Sequence, residues 1–82
     1  MQWDNKMFSK ADLQEWVLEA MAALGGEAQV TRVAEQIWLK HEFDLKKSGD
    51  LFYTWQYDMR WAAQNLRKAK KLTLTGRNWA LI

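Results

Sequence analysis

The chain has 82 residues, enough for one small domain but with little room for an enclosed active site. Hydrophobic residues make up 49% of it and charged residues 27%, which is typical of a globular protein and excludes a disordered one. It has no cysteine, which excludes disulfides, thiolate zinc sites and a cysteine nucleophile.

The sequence gives no sign of a membrane span or of export. The longest run without charge in the first half is Ala20–Gly26, which is far too short to cross a bilayer. Residues 1–6 lack the basic-then-apolar order of a secretion signal. We therefore expect a cytoplasmic protein with no membrane partner.

The charges are unevenly distributed, although the net charge is only +2. Residues 1–27 carry two cations and five acids, a net −3, whereas residues 28–82 carry ten cations and five acids, a net +5. No acid follows Asp58, and the cations beyond it are Arg60, Arg67, Lys68, Lys70, Lys71 and Arg77. This asymmetry indicates either a polarised binding surface or cations that simply suit the end of a helix.

The first predicted helix covers residues 10–24. Ser9 is placed to cap it, and Asp12 completes a capping-box-like pattern three residues later. Four apolar residues recur at helical spacing and share one face: Leu13, Val17, Ala20 and Leu24. Gly25-Gly26 ends the helix, since glycine adopts the left-handed conformation of a C-cap.

A second helix is predicted over residues 31–41, after a short extended connector at Ala28–Val30. Thr31 is a suitable N-cap for it. Its inner face is expected to hold Val33, Ala34, Ile37 and Trp38. The polar stretch His41–Asp50 contains Ser48-Gly49-Asp50, a strong break signal, and is interpreted as a loop.

The third predicted helix covers residues 52–70 and is amphipathic. Its apolar stripe is Trp55, Met59, Ala62, Leu66 and Ala69, with Trp61 beside it. Its opposite face offers Tyr53, Thr54, Gln56, Tyr57, Arg60, Gln64 and Arg67. The helix therefore has one face for a core and one for solvent or a partner.

The last residues change from helical to strand periodicity. Residues 72–75 alternate apolar and polar, Gly76-Arg77-Asn78 forms a turn, and residues 79–82 return as a second strand. The element order predicts a mostly α fold, a winged helix-turn-helix with three helices and a wing of two or three strands. We expect a single domain over 1–82, with an N-terminal arm at 1–8 and the wing hairpin at 72–82.

Three short segments carry a resemblance to a known family. They are Leu-Gly-Gly-Glu-Ala at 24–28, Arg-Trp-Ala at 60–62 followed by Leu-Arg-Lys-Ala at 66–69, and Gly-Arg-Asn-Trp-Ala-Leu at 76–81. Together they resemble the winged-helix module at the N terminus of Mrr-type restriction endonucleases, over about residues 13–82. The resemblance implies a DNA-binding accessory domain. The wing is shorter than in that family, so a phage, plasmid or mobile-element protein carrying the module fits as well.

Two groups of residues are candidates for contact with double-stranded DNA. The third helix is expected to enter the major groove and to reach base edges or phosphates with Tyr53, Thr54, Gln56, Tyr57, Arg60 and Gln64. The phosphate backbone is expected to be held by Arg67, Lys68, Lys70, Lys71 and Arg77, with Lys46 and Lys47 from the loop before the third helix. Arg77 at the wing tip is placed for the minor groove.

The chain has six tryptophans, an unusual number for its length. Four are expected to face the core: Trp16, Trp38, Trp61 and Trp79. The alternative to a core role for the tryptophans is an aromatic cage that recognises a methylated base. Trp55 is open to both interpretations, and Trp3 belongs to the arm.

No motif in the sequence points to chemistry. His41 is the only histidine, and with Glu42 and Asp44 it does not make a metal site. No glycine-rich phosphate loop or nucleophile motif is present. We therefore expect no metal, no cofactor and no enzyme activity. The predicted function is a double-stranded DNA-binding module of a restriction-type or mobile-element regulator; the alternative is a protein-interaction adaptor. A homodimer or a larger protein partner is open in both cases.

Overall fold

The computed structural model describes residues 8–82, which form three helices and three strands. In chain order these are α1 (Asp12–Ala23), β1 (Glu27–Gln29), α2 (Val30–Lys46), α3 (Leu51–Lys68), β2 (Leu72–Thr75) and β3 (Asn78–Leu81). The strands form one antiparallel sheet in the order β1-β3-β2 beside the packed helices. This is the winged-helix arrangement, and it confirms the predicted fold. Residues 1–7, most of the expected arm, lie outside the described part.

The start of α1 uses half of the expected capping box. The Ser9 backbone N–H donates to the Asp12 carboxylate at 2.8 Å, whereas the Ser9 hydroxyl lies 3.5 Å from the same carboxylate and caps no backbone group. At the other end, Gly25 and Gly26 have φ of 91° and 97°, which glycine adopts without the steric cost of a Cβ. The glycine pair therefore ends α1 as predicted.

Helix α2 is longer than predicted, and the loop predicted over His41–Asp50 is confined to residues 47–50. The helix continues to Lys46, with a kink at His41, where φ is −120° and ψ is 18°. Leu45 is fully buried, one turn after His41, and so continues the inner face of Ile37. Thr31 is also not the cap, because α2 begins at Val30 and Gln29 holds the N-cap position without a side-chain hydrogen bond.

His41 fixes the kinked part of α2 against α1. Its imidazole stacks on the Trp16 indole with ring centroids 3.9 Å apart and an interplanar angle of 8°. Its Nε2 lies 2.9 Å from a Glu19 carboxylate oxygen, and its Nδ1 lies 3.1 Å from an Asp44 carboxylate oxygen. These contacts hold the polar segment in a helix, which a sequence pattern of polar residues does not reveal.

The tryptophans divide between core and surface. Trp16 and Trp79 are buried as expected, and Trp55 is buried as well, stacked on the half-buried Trp38 with centroids 6.1 Å apart. Trp61 departs from the prediction, because 36% of its surface is exposed. Most of the indole area in the described residues therefore stabilises the packing of the helices and the sheet.

The sheet has β3 at its centre. β3 pairs with β1 from Glu27↔Ala80 to Gln29↔Asn78, and with β2 from Leu72↔Leu81 to Thr75↔Asn78. Gly76 has φ of 64° at the first position of the two-residue turn between β2 and β3, as a type II′ hairpin requires. Leu72 and Trp79 are buried, so they join the hairpin to the helical core.

Within residues 8–82, no helix combines the length and the apolar character needed to cross a bilayer.

Candidate nucleic-acid interface

One face of α3 presents a continuous row of exposed polar and aromatic side chains, the recognition face. It consists of Tyr53, Gln56, Tyr57, Arg60, Gln64 and Arg67, all exposed to solvent. They follow one another at intervals of one, three or four residues and share one side of the helix over about 21 Å at 1.5 Å per residue. Tyr53 is 82% and Tyr57 78% exposed, although tyrosine commonly packs at least its ring. The structure thus brings these predicted site residues together.

Thr54 lies at the edge of the recognition face and is engaged within the protein. Its hydroxyl donates to the Asp58 carboxylate at 2.7 Å. Arg60, two residues after Asp58, has no ion-pair partner among residues 8–82. The structure therefore makes Thr54 a support for Asp58 rather than a free member of the row.

The basic residues that follow Asp58 are all free of ion pairs within residues 8–82. The ion pairs within residues 8–82 all precede Asp58. They join Arg32 to Glu35 at 2.8 Å and Lys46 to Glu42 at 2.8 Å, and His41 lies between two carboxylates. The unpaired cations are Arg60, Arg67, Lys68, Lys70, Lys71 and Arg77, and all are exposed. Because no neighbouring carboxylate offsets the charge of these cations, this end of the protein has a strongly positive surface that can attract an anionic partner.

The end of α3 holds a lysine where a helix usually ends in glycine. Lys70 has φ of 62°, the one positive φ outside glycine among the described residues. The Lys71 N–H donates to the Leu66 carbonyl at 2.9 Å and the Lys70 N–H to the Arg67 carbonyl at 3.0 Å, which is a Schellman motif. The end of α1 has the same two hydrogen bonds with Gly25 at the left-handed position.

We predict that Lys70→Gly stabilises the domain. A lysine in the left-handed conformation costs the folded state about 1–2 kcal/mol, which glycine avoids. Part of this gain is lost because the unfolded chain has more conformational entropy with glycine, so the net stabilisation is about 0.5–1 kcal/mol. Thermal denaturation followed by circular dichroism should show a rise in Tm of about 3–6 °C. Gly25→Lys is the matched control and should lower the Tm; a lower Tm for Lys70→Gly would contradict this interpretation.

The wing carries Arg77 away from the helix. Arg77 is exposed in the two-residue turn. The four residues of β2, about 13 Å at 3.3 Å per residue, separate this turn from Lys71 at the base of the strand. Lys68, Lys70 and Lys71 occupy the junction between α3 and β2. The basic surface therefore extends from the helix end to the wing tip.

Lys46 and Lys47 differ from the prediction. They end α2 rather than occupying a loop before α3, and their contacts are with α2. Lys46 pairs with Glu42 at 2.8 Å, and the Lys47 ammonium lies 4.7 Å from the centre of the Phe43 ring. The structure does not join them to the recognition face.

Two residues beside the recognition face were missed by the sequence analysis. The Lys10 ammonium lies 5.0 Å from the centre of the Trp61 ring. Together with Tyr57, Arg60 and Gln64 they line an open cavity of about 330 Å³. Trp61 lies four residues after Tyr57 and three before Gln64, and this spacing is the signal that places it on the exposed side.

The described residues hold no group of three or more His, Asp or Glu side chains placed to bind a metal ion. A comparison with models of protein families, with curated proteins and with solved structures finds no match to this chain.

Proposed function

We propose that this chain is a double-stranded DNA-binding winged-helix module in which α3 enters the major groove. The observation that carries the proposal is the set of six unpaired, exposed cations after Asp58, joined to an exposed row of hydrogen-bonding side chains on α3. Phosphates attract unpaired cations through charge and counterion release, and an α-helix fits the width of the major groove.

Each part of the surface has a distinct role in this proposal. Arg60, Gln56 and Gln64 supply side chains that hydrogen-bond base edges or phosphates. The lysines at the junction of α3 and β2 hold the backbone, and Arg77 follows the DNA into or along the minor groove. The sequence resemblance to Mrr-type modules supports a setting in a restriction-type or mobile-element protein that responds to base modification.

Lys70 supports a role for this surface beyond stability. A glycine at its position relieves backbone strain, yet the chain carries a cation there. Strain of this kind is common where a side chain serves binding. A lysine held in the left-handed conformation therefore fits a phosphate contact at the end of α3.

The second candidate function is a protein-interaction adaptor. The observation in its favour is the exposure of large apolar or aromatic side chains, with Leu39 and Phe43 on α2 each 71% exposed and Tyr53 82% exposed on α3. Aromatic side chains such as Phe43 and Tyr53 are enriched in protein interfaces. The two candidates differ in whether the amides of α3 and the wing respond to duplex DNA.

Chemical-shift mapping of the labelled protein with a random-sequence duplex, with and without N6-methyladenine, tests the DNA proposal. We expect the largest amide shifts at residues 53–71 and at 76–78, with small shifts in α1. A matched titration with single-stranded DNA of the same length should give weaker binding. No shifts at low salt would contradict the proposal and favour the adaptor. Shifts confined to residues 32–43 would contradict it by placing the DNA on another surface.

A further inference from the structure

The open cavity beside the recognition face, the aromatic notch, lies at the middle of α3. It has a volume of about 330 Å³. Its lining side chains are those of Lys10, Tyr57, Asp58, Arg60, Trp61 and Gln64. Two of its walls are aromatic and come from residues four apart on the helix, Tyr57 and Trp61, whose Cβ atoms are therefore about 5–6 Å apart. A group as small as a methyl can thus contact both rings at once.

One aromatic wall of the notch is held by the protein and the other is open to a partner. The Lys10 ammonium lies 5.0 Å from the centre of the Trp61 ring. Only 36% of the Trp61 surface is exposed, so most of its indole is packed. Tyr57 is 78% exposed, and most of its surface is therefore available for contact. The notch is partly formed in the free protein and lacks a group to cover its apolar walls.

The chemistry of the notch favours a base edge over a phosphate as its occupant. Lys10 and Arg60 keep the notch within the positive surface, so it suits DNA as a whole. The two aromatic rings offer a phosphate little hydrogen bonding, and a charged group is costly to bury without it. The Asp58 carboxylate, which accepts a hydrogen bond from the Thr54 hydroxyl at 2.7 Å, also lines the notch and repels a phosphate.

Among the four bases, thymine presents the edge that matches the notch. In the major groove it combines an apolar 5-methyl group with the hydrogen-bond acceptor O4, whereas the other bases are distinguished there by polar donors and acceptors. The Tyr57 and Trp61 rings supply apolar surface for the methyl group. Arg60 and Gln64, which line the same cavity, supply N–H donors for O4.

We propose that the aromatic notch receives the 5-methyl group of a thymine, so that Tyr57 and Trp61 give this module a preference for thymine-containing sites. The inference rests on the proposed function, since it requires α3 to lie in the major groove. It adds a sequence preference that contacts between cations and phosphates do not provide. Moving one methyl group from water into apolar contact raises the affinity by about fourfold, which sets the size of the expected preference.

The test compares two duplexes of one sequence, in which every thymine is either kept or replaced by deoxyuridine, whose base lacks only the methyl group. Fluorescence anisotropy at low salt should show that the wild type binds the thymine duplex about fourfold more tightly. Tyr57→Ser should reduce this ratio to below about twofold, whereas Tyr57→Phe, which keeps the ring, should retain it. Tyr53→Ser removes a similarly exposed tyrosine that does not line the notch, and should leave the ratio unchanged whatever it does to the overall affinity.

The outcomes separate a failure of this inference from a failure of DNA binding. Equal affinity of the wild type for both duplexes, or a ratio lost in Tyr57→Phe or Tyr53→Ser as fully as in Tyr57→Ser, would overturn the role of the notch and leave DNA binding intact. No binding of either duplex would refute DNA binding and the notch together.

A second pair of duplexes, with cytosine or 5-methylcytosine at the thymine positions, tests the identity of the base. We expect a smaller gain from this methyl group, since cytosine presents a donor in place of O4. A larger gain than thymine shows over uracil would assign the notch to a modified base and overturn the thymine assignment. Melting curves of each variant verify that it is folded.

Discussion

Replacing Lys68 and Lys71 with alanine is expected to lower the affinity for a random-sequence duplex by about a hundredfold at about 0.05 M salt. Each phosphate contact adds about −0.9 to the slope of log affinity against log salt, so at this salt concentration each contact contributes roughly tenfold to the affinity. Both side chains are exposed and free of ion pairs within residues 8–82, so their removal costs little stability. The same variant should reduce the salt slope by about two.

The matched control removes the same charge from another part of the surface. Arg32→Ala/Lys40→Ala also takes the net charge from +2 to zero, but the two residues are exposed on α2 and not on α3 or the wing. Fluorescence anisotropy with a labelled duplex should show a loss of a few fold at most. Equal losses for the two double variants would mean that net charge alone, and not the surface at α3 and the wing, binds DNA.

Trp55→Ala is expected to lower the free energy of unfolding by about 3–5 kcal/mol, because it leaves a large cavity in a small core. Trp55 is only 5% exposed and stacks on Trp38, which packs against Phe52 in turn. These contacts fix the first turns of α3 against α2. A loss of this size is a large part of the 5–15 kcal/mol that stabilises a typical domain.

Trp61→Ala on the same helix is the comparison for Trp55. The Trp61 indole is 36% exposed, and its removal should cost about 1–2 kcal/mol, since less area returns to water and solvent fills the space. Urea denaturation of both variants measures the difference. Equal losses would show that Trp61 belongs to the core after all.

The sequence predicts the fold well because three kinds of local signal agree. Gly25-Gly26 ends α1, the spacing from Trp55 to Leu66 defines the inner face of α3, and Gly76 sets the hairpin. Each signal depends on neighbours in sequence, so no long-range contact is needed to see it. The sheet order, with β3 between β1 and β2, came only from the structure because strand pairing is not local.

The errors at α2 and at Trp61 have different causes, the first long-range and the second local. The segment after His41 looks like a loop because it is polar, but Trp16 and Glu19 from α1 hold it in a helix. Trp61 looks like a core residue because it is large and apolar. Its exposure follows from its angular position beside Tyr57, which hydrophobicity alone does not indicate.

The row of exposed side chains on α3 is predictable from the sequence, whereas the separation of Lys46 and Lys47 from it and the position of Lys10 beside it are not. The spacing of Tyr53, Tyr57 and Gln64 gives the recognition face directly. Whether the cations form ion pairs depends on distances in the folded structure, which the sequence does not give. The left-handed conformation of Lys70 has no local sequence signal either, since glycine is the usual residue at this position after a helix. These two features are what the structure adds to the case for DNA.

The most direct test of the central claim is the salt dependence of wild-type binding to a random-sequence duplex, followed by fluorescence anisotropy. If Arg60, the cations at the end of α3 and Arg77 contact phosphates, the affinity should fall with salt with a log–log slope of about −4 to −5, at about −0.9 per contact. Binding that is absent at low salt, or that does not change with salt, would contradict DNA binding by this surface.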